Sequence, residues 1–441
     1  MQKLQVYENQ RFLKTEDGVP FFWLGDTAWE LFHRLSREEA EMYLTTRAEQ
    51  GYNVIQAVAL AEFGGLVEQN PYGRLPLLRN ENGMWDPAMP DLTVSKDSSY
   101  TYWDHVDYII DKAEQLGLYI GLLPTWGDKY NLCWGEGPEI FNGENAYVYG
   151  KWIAERYHNR TNIIWILGGD RALTAGRHFD VIRGMAKGIR EADGDCHLMT
   201  FHPNGEQTSS FHVHEEKWLD LNMLQSGHSR PHKDNYHMIE ADYAKVPVKP
   251  VLDAEPRYED HPINFKADNG YFDDADVRQA AYWSVFAGAC GHTYGHHSIW
   301  RMCTEPGSYH IMTWQTALHR PGGVQMRYVK ELMESRPYFE RVPDQGLIAD
   351  CTAYGGANHQ QATRGENYAF LYTPNGLPIY VNMGRIAGET VKASWFNPRT
   401  GQMDCFGEFE NKGIQTFVPP VSGRGSDWVL VLDSVSLRVG I

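Results

Sequence analysis

The chain has 441 residues, with 57 Asp and Glu against 40 Lys and Arg, a formal charge of −17. That acidic balance argues against a nucleic-acid binder, which needs a basic stripe, and no apolar run approaches the ~18 residues of a membrane span. With 42% hydrophobic residues, 14 Trp, 25 Tyr and 18 Phe, the chain can bury a large core and still offer flat faces to a ligand.

Met1 is followed by Gln2, Lys3, Leu4 and Gln5, so no secretory h-region opens the sequence. A cytoplasmic protein is expected, or a periplasmic or secreted one whose leader has been removed. The six cysteines (Cys133, Cys196, Cys290, Cys303, Cys351, Cys405) are scattered without a CxxC pair, which predicts reduced thiols rather than a disulfide framework or zinc site.

Short apolar runs then alternate with helix-period segments. Residues 21–24 lead into Gly25-Asp26-Thr27, and a helix follows, opened by a capping box of Ser36 and Glu39. A strand at 54–58 precedes a long irregular stretch, 62–100, expected to be a lid or pocket wall because of its length and turn residues. An amphipathic helix around Val106, Ile109, Ile110 and Ala113 ends at Gly117. Strands follow at 119–123, 163–167, 197–201, 222–225, 250–253 and 291–294, and a last helix is expected from about 314 to 336. Eight apolar strands, each followed by a helical segment, predict an α/β fold: a (β/α)₈ TIM barrel over residues 1–345. No G-x-G-x-x-G follows the first strand, and no cofactor is expected. Beyond Pro343 the grammar changes to period-2 strands at 368–372, 378–381, 391–396 and 428–432, with turns at Pro374-Asn375-Gly376 and Asn397-Pro398-Arg399-Thr400-Gly401. A small all-β sandwich over 346–441, packed firmly on the barrel, is expected.

Chemistry in such a barrel sits at the carboxyl ends of the strands. Asp170 follows the fourth strand and two glycines, which let the backbone turn tightly, and Glu255 follows the seventh. Strands four and seven lie on opposite sides of the mouth, so the two carboxyls can flank one bond, as glycoside hydrolysis requires. Arg171 and Arg257 beside them offer plain ion pairing as the structural alternative, and Asp253 is a reserve carboxylate. Asp26, Trp29, Gln56, Trp126, His202, Gln225, His228, Tyr294 and His296 end other strands or follow them closely and are expected to bind substrate, with Trp300 as a further aromatic platform. The histidines admit a metal reading, but the first strand carries Gly25-Asp26-Thr27 rather than His-x-His, and no metal is expected. A non-catalytic binding barrel and a metal-dependent hydrolase stay open as alternatives. The expected partner is a carbohydrate, with no nucleic acid and no membrane, and oligomeric state stays open.

Four motifs carry a resemblance: 22–29 (FWLGDTAW), 102–107 (YWDHVD), 121–127 (GLLPTWG) and 162–170 (NIIWILGGD). With them the chain resembles the apiosidase-like glycoside hydrolases (glycoside hydrolase family 140), over about residue 21 to beyond Trp300. The tail with 395–401 (WFNPRTG) is similar to the β-domain of collagen-binding type that follows the barrel in that family. The resemblance implies release of a terminal sugar, apiose or a related pentose, from a plant-derived glycan or glycoside. It also implies that Asp170 and Glu255 match the catalytic acid and the strand-seven glutamate.

Overall fold

The computed structural model describes residues 1–94, 99–349 and 354–435. Cys351 lies outside the described residues, and the other five cysteines are unpaired. Eight parallel strands form one sheet: β1 (Trp23–Thr27), β2 (Val54–Val58), β3 (Tyr119–Leu123), β4 (Ile163–Gly168), β5 (Met199–His202), β6 (Asn222–Gln225), β7 (Val251–Asp253) and β8 (Gly291–Tyr294). Their spatial order is β5-β4-β3-β2-β1-β8-β7-β6. The seam between β5 and β6 is bridged where Thr200 Oγ1 donates to the Leu221 carbonyl (2.8 Å) and Asp220 N to that of Met199 (2.9 Å). Every residue of these strands is buried, as a sheet covered on both faces demands. The result is a (β/α)₈ barrel.

The helices form for local reasons. In α1 (Arg37–Glu49), Ser36 Oγ accepts from Glu39 N while the Glu39 carboxylate accepts from Ser36 N, the predicted capping box. In α2 (Tyr102–Gln115), Val106, Ile109, Ile110 and Ala113 recur at helical spacing and bury one face. Helices α3 (Gly143–Tyr157), α4 (Gly176–Asp193), α5 (Asn235–Tyr243), α6 (Asp274–Phe286) and α7 (Pro321–Glu334) continue the outer ring. Three expectations need correction. The fifth strand starts at Met199, because the His197 imidazole is held outside it by Asp193 and the Arg160 carbonyl, both at 2.6 Å. The last helix is broken into Trp314–Ala317 and α7, since Pro321 lacks an N–H and forces Arg320 into an extended conformation (ψ 143°). The long stretch after β2 is mostly no lid: Leu77–Arg79 pairs antiparallel with Trp85–Pro90, and this hairpin lies against α3.

The tail is antiparallel throughout. Strands β9 (Gln361–Arg364), β10 (Tyr368–Thr373), β12 (Thr390–Phe396), β13 (Met403–Glu410) and β15 (Trp428–Ser434) share one sheet with Val342–Pro343, while β11 (Ile379–Asn382) pairs with β14 (Ile414–Phe417) in a second. The Pro374-Asn375-Gly376 turn therefore carries the chain from one sheet to the other rather than closing a hairpin. The tail packs on α6 and α7. Arg278 pairs with Asp427 at 3.0 Å, Arg336 grips Asp433 through two bonds of 2.7 and 2.8 Å, and Tyr282 stacks on Tyr372 at 4.8 Å. Among the described residues no helix is long and apolar enough to cross a membrane.

Candidate active site

A cavity of about 540 Å³ opens at the carboxyl ends of the strands, a size suited to enclosing a small ligand. Among the described residues, none that lines it comes from the β-sandwich.

Asp170 reaches this cavity through an unusual backbone path. Gly168 (φ 93°), Gly169 (φ 111°) and Asp170 (φ 55°) have positive φ in succession. A Cβ at Gly168 would lie 2.3 Å from the His202 carbonyl oxygen, and one at Gly169 would lie 2.8 Å from the Gly127 nitrogen. Glycine is therefore required at both places. Hydrogen bonds from Gly127 N to the Gly169 carbonyl (3.0 Å) and from Gly169 N to that of His202 (3.1 Å) tie the arch to its neighbours. Asp170, the non-glycine member, sits in a region that costs ~1–3 kcal/mol, the kind of local strain found at functional sites.

The carboxyl of Asp170 is 23% exposed, facing the cavity, and lies 3.1 Å from Arg171 Nη1. Burial pushes its pKa up to about 6, with the charge of Glu255 adding to the rise against the pull of Arg171. Arg171 is wholly buried and shared: its Nη2 lies 2.6 Å from Glu62. Glu62 in turn is raised to about 7, by burial first, with Asp128 and Asp170 adding to the effect.

Glu255 is biased the other way. Its Oε2 lies 3.0 Å from His202 Nε2, and its Oε1 3.2 Å from His228 Nε2. Burial alone would raise its pKa, but the two imidazoles outweigh that and hold it well below the usual carboxylate range. Beside it the Tyr258 phenol is kept protonated, by burial and by the charge of Glu255. One cavity thus presents one carboxyl biased towards its protonated form and one towards its ionised form.

Around the pair, Trp126 Nε1, Gln225 Oε1 and Asn204 Oδ1 are buried, belong to residues lining the cavity and lack a protein partner. Buried polar atoms are almost always satisfied, so these suit a ligand rich in hydroxyls. Trp29 and Trp126, their rings 5.1 Å apart, supply flat faces at the floor. Trp29, Trp126, Gln225, His228 and Trp300 join Asp170 and Glu255 in the lining, as expected from the sequence. Glu62 and Phe63 open the stretch expected to form a lid or pocket wall and do line the cavity, whereas sequence reasoning missed Trp134, Asn204, Tyr258 and Phe265 as members of this wall. Asn204 two residues past His202, and Tyr258 three past Glu255, were detectable as polar groups just beyond a strand end.

Five expected substrate residues do not line the cavity. Asp26 points outward, wholly buried, accepting from Tyr43 (2.5 Å) and Arg47 (2.6 Å) of α1. Tyr294 likewise faces the helices and donates to Glu259 at 2.6 Å. His296 is buried against Asp260 at 3.1 Å. Gln56 is buried inside the barrel, its amide donating to the Ala254 carbonyl at 3.1 Å. His202 is also wholly buried and touches Glu255 rather than the open cavity. Asp253, the reserve carboxylate, is held by Ser226 Oγ (2.8 Å) and Asn235 Nδ2 (2.9 Å), since the strand ends there and Glu255 escapes the alternation. Among the described residues, no group of three or more His, Cys, Asp or Glu is arranged to share a metal ion.

A (β/α)₈ barrel whose mouth holds a carboxyl-lined, aromatic cavity defines the class of barrel glycoside hydrolases. Residues 7–340 match the apiosidase-like catalytic domain, and residues 342–433 match the domain described as "putative collagen-binding domain of a collagenase". The chain belongs to the apiosidase-like glycoside hydrolase family. A solved structure named "Glycoside hydrolase" is 37% identical, with a TM-score of 0.88 over 100% of this chain and 98% of that one. A glycoside hydrolase family 5 structure from Bacteroides vulgatus is also 37% identical, with a TM-score of 0.89 over 100% and 95% of the two chains. A third, described as a "putative glycoside hydrolase" from the same species, shares the fold at 15% identity, with a TM-score of 0.68 over 98% and 82% of the two chains. No curated protein matches the sequence.

Proposed function

We propose that this glycoside hydrolase is exo-acting and releases a terminal pentose, apiose or a close relative, from a plant-derived glycan or glycoside by a two-carboxylate mechanism. The observation that carries this reading is the opposed bias of Asp170 and Glu255 within one cavity, and membership of the apiosidase-like family supports the sugar.

In the first step the Asp170 carboxyl gives its proton to the glycosidic oxygen as the bond from that oxygen to the anomeric carbon breaks. One oxygen of ionised Glu255 attacks the anomeric carbon from the opposite face, and the protonated aglycone leaves. In the second step the Asp170 carboxylate takes a proton from water, whose oxygen attacks the anomeric carbon and frees Glu255. His202 and His228 hold the Glu255 carboxylate in place and keep it ionised, which suits a nucleophile and predicts that the released sugar keeps its anomeric configuration. Trp126 Nε1, Gln225 Oε1 and Asn204 Oδ1 bind hydroxyls, and Trp29 and Trp126 offer the sugar an apolar face. A non-catalytic sugar-binding barrel has no use for two oppositely biased carboxyls.

Hydrolysis of a panel of apiosides and other aryl pentosides tests the assignment. Asp170→Asn and Glu255→Gln should each lose ~10²–10⁴-fold in turnover, the size of a general acid–base contribution. Near-wild-type turnover of either variant on a true substrate refutes its role.

A further inference from the structure

We propose, resting on the glycosidase reading, that Tyr258 is a further catalytic residue: its hydroxyl donates to Glu255 Oε2 as that oxygen leaves the sugar in the second step. Tyr258 follows Glu255 by three residues, lines the same cavity and is 2% exposed. Its Oη is buried and, among the described residues, without a hydrogen-bond partner. An unpaired buried donor destabilises the resting enzyme, so its place beside the reacting carboxylate calls for a partner that arises during turnover.

The ring is placed for this role by its surroundings. A Cβ at Gly295 would lie 2.1 Å from both Cδ1 and Cε1 of the ring, so only glycine directly after β8 leaves room for it. On another side the ring leans on the His228 imidazole, with centroids 4.4 Å apart. The backbone is fastened by bonds from Glu259 N to the Gly295 carbonyl (3.0 Å) and from His261 N to the Tyr258 carbonyl (3.2 Å). The hydroxyl then faces Glu255, Thr27 and Trp29. Burial and the charge of Glu255 keep it protonated, so it remains a donor.

The two oxygens of Glu255 are not equivalent. Oε1 accepts from His228, whereas Oε2, though near His202 Nε2, makes no aligned bond and is the oxygen free to attack. Once Oε2 carries the sugar, the second step breaks its bond to the anomeric carbon and returns the electron pair to Oε2. The oxygen of water bonds to that carbon and its proton passes to Asp170, while the phenol keeps its own proton and only shares it. A donor waiting where negative charge develops lowers the barrier of this step and gives the first step no such help.

Rapid-mixing kinetics of the wild type and Tyr258→Phe on the 2,4-dinitrophenyl glycoside of a hydrolysed pentose test this, because a good leaving group makes the second step limiting. The substitution keeps the ring in the space Gly295 leaves, so the fold is retained. The variant should release one equivalent of dinitrophenolate per active site at the wild-type rate, then turn over ~10–100-fold more slowly with kcat/KM unchanged. A loss in the first phase as large as in the second, or no change in either, overturns the proposal. Glu255→Gln, run beside them, separates the failures. If it keeps near-wild-type turnover, or the wild type cleaves no pentoside, the two-carboxylate reading falls and this proposal with it. If it is inactive while Tyr258→Phe behaves as wild type, only the Tyr258 assignment falls.

Discussion

His228→Phe isolates one arm of the support for Glu255. The new ring preserves the stack on His261, now 4.3 Å between centroids, and removes the nitrogen that lies 3.2 Å from Glu255 Oε1. A hydrogen bond to a charged group is worth ~1.5–3 kcal/mol, and 1.36 kcal/mol corresponds to one pKa unit. The pKa of Glu255 should therefore climb from about 2 by ~1–2 units. A protonated carboxyl cannot attack, so activity is lost as pH falls through this pKa, and the acid limb of the kcat/KM profile should move up by the same amount. The alkaline limb, set by loss of the Asp170 proton near pH 6, should stay or rise slightly, because His228 also lowers the pKa of Asp170. His228→Gln, which can keep a donor, should restore part of the shift. A uniform drop in rate with an unmoved acid limb would refute the reasoning.

Asp170→Asn should also change stability in a pH-dependent way. The folded state raises the pKa of this carboxyl to about 6, so folding loses stability as pH rises through the window from ~4 to ~6. Near neutral pH the variant should be the more stable by ~1–3 kcal/mol, and the gain should vanish below pH ~4, read from denaturant midpoints. Asp26→Ala leaves Arg47 buried without its partner and should cost ~3–5 kcal/mol in stability, while kcat/KM of the folded fraction stays unchanged, as expected of a residue outside the cavity. Gly169→Ala places a Cβ 2.8 Å from the Gly127 nitrogen and shifts the acid; kcat should fall ~10²-fold with the circular dichroism spectrum retained.

The strand map and the two catalytic candidates were legible because they rest on local signals: apolar runs of strand length, the Gly-Gly pair before Asp170, and an acidic residue just past the seventh strand. Which way a strand residue points is less local. Asp26 and Tyr294 sit on barrel strands like the rest, but they take the outward face, where Arg47 and Glu259 wait 21 and 35 residues away in sequence. Glu62, Trp134 and Phe265 come from loops whose path no periodicity encodes, and only the fold brings them to one wall. The histidines form one group in the sequence, yet two fates emerge: His202 and His228 serve Glu255, whereas His296 is a buried partner of Asp260.

Leaving-group dependence in Asp170→Asn tests the division of labour most directly. A poor leaving group needs the Asp170 proton and a good one does not. Comparing kcat/KM on an alkyl pentoside with that on the 2,4-dinitrophenyl glycoside of the same sugar, the variant should lose ~10²–10⁴-fold on the first and little on the second. Equal losses on both, or none on the alkyl glycoside, would contradict Asp170 as the proton donor.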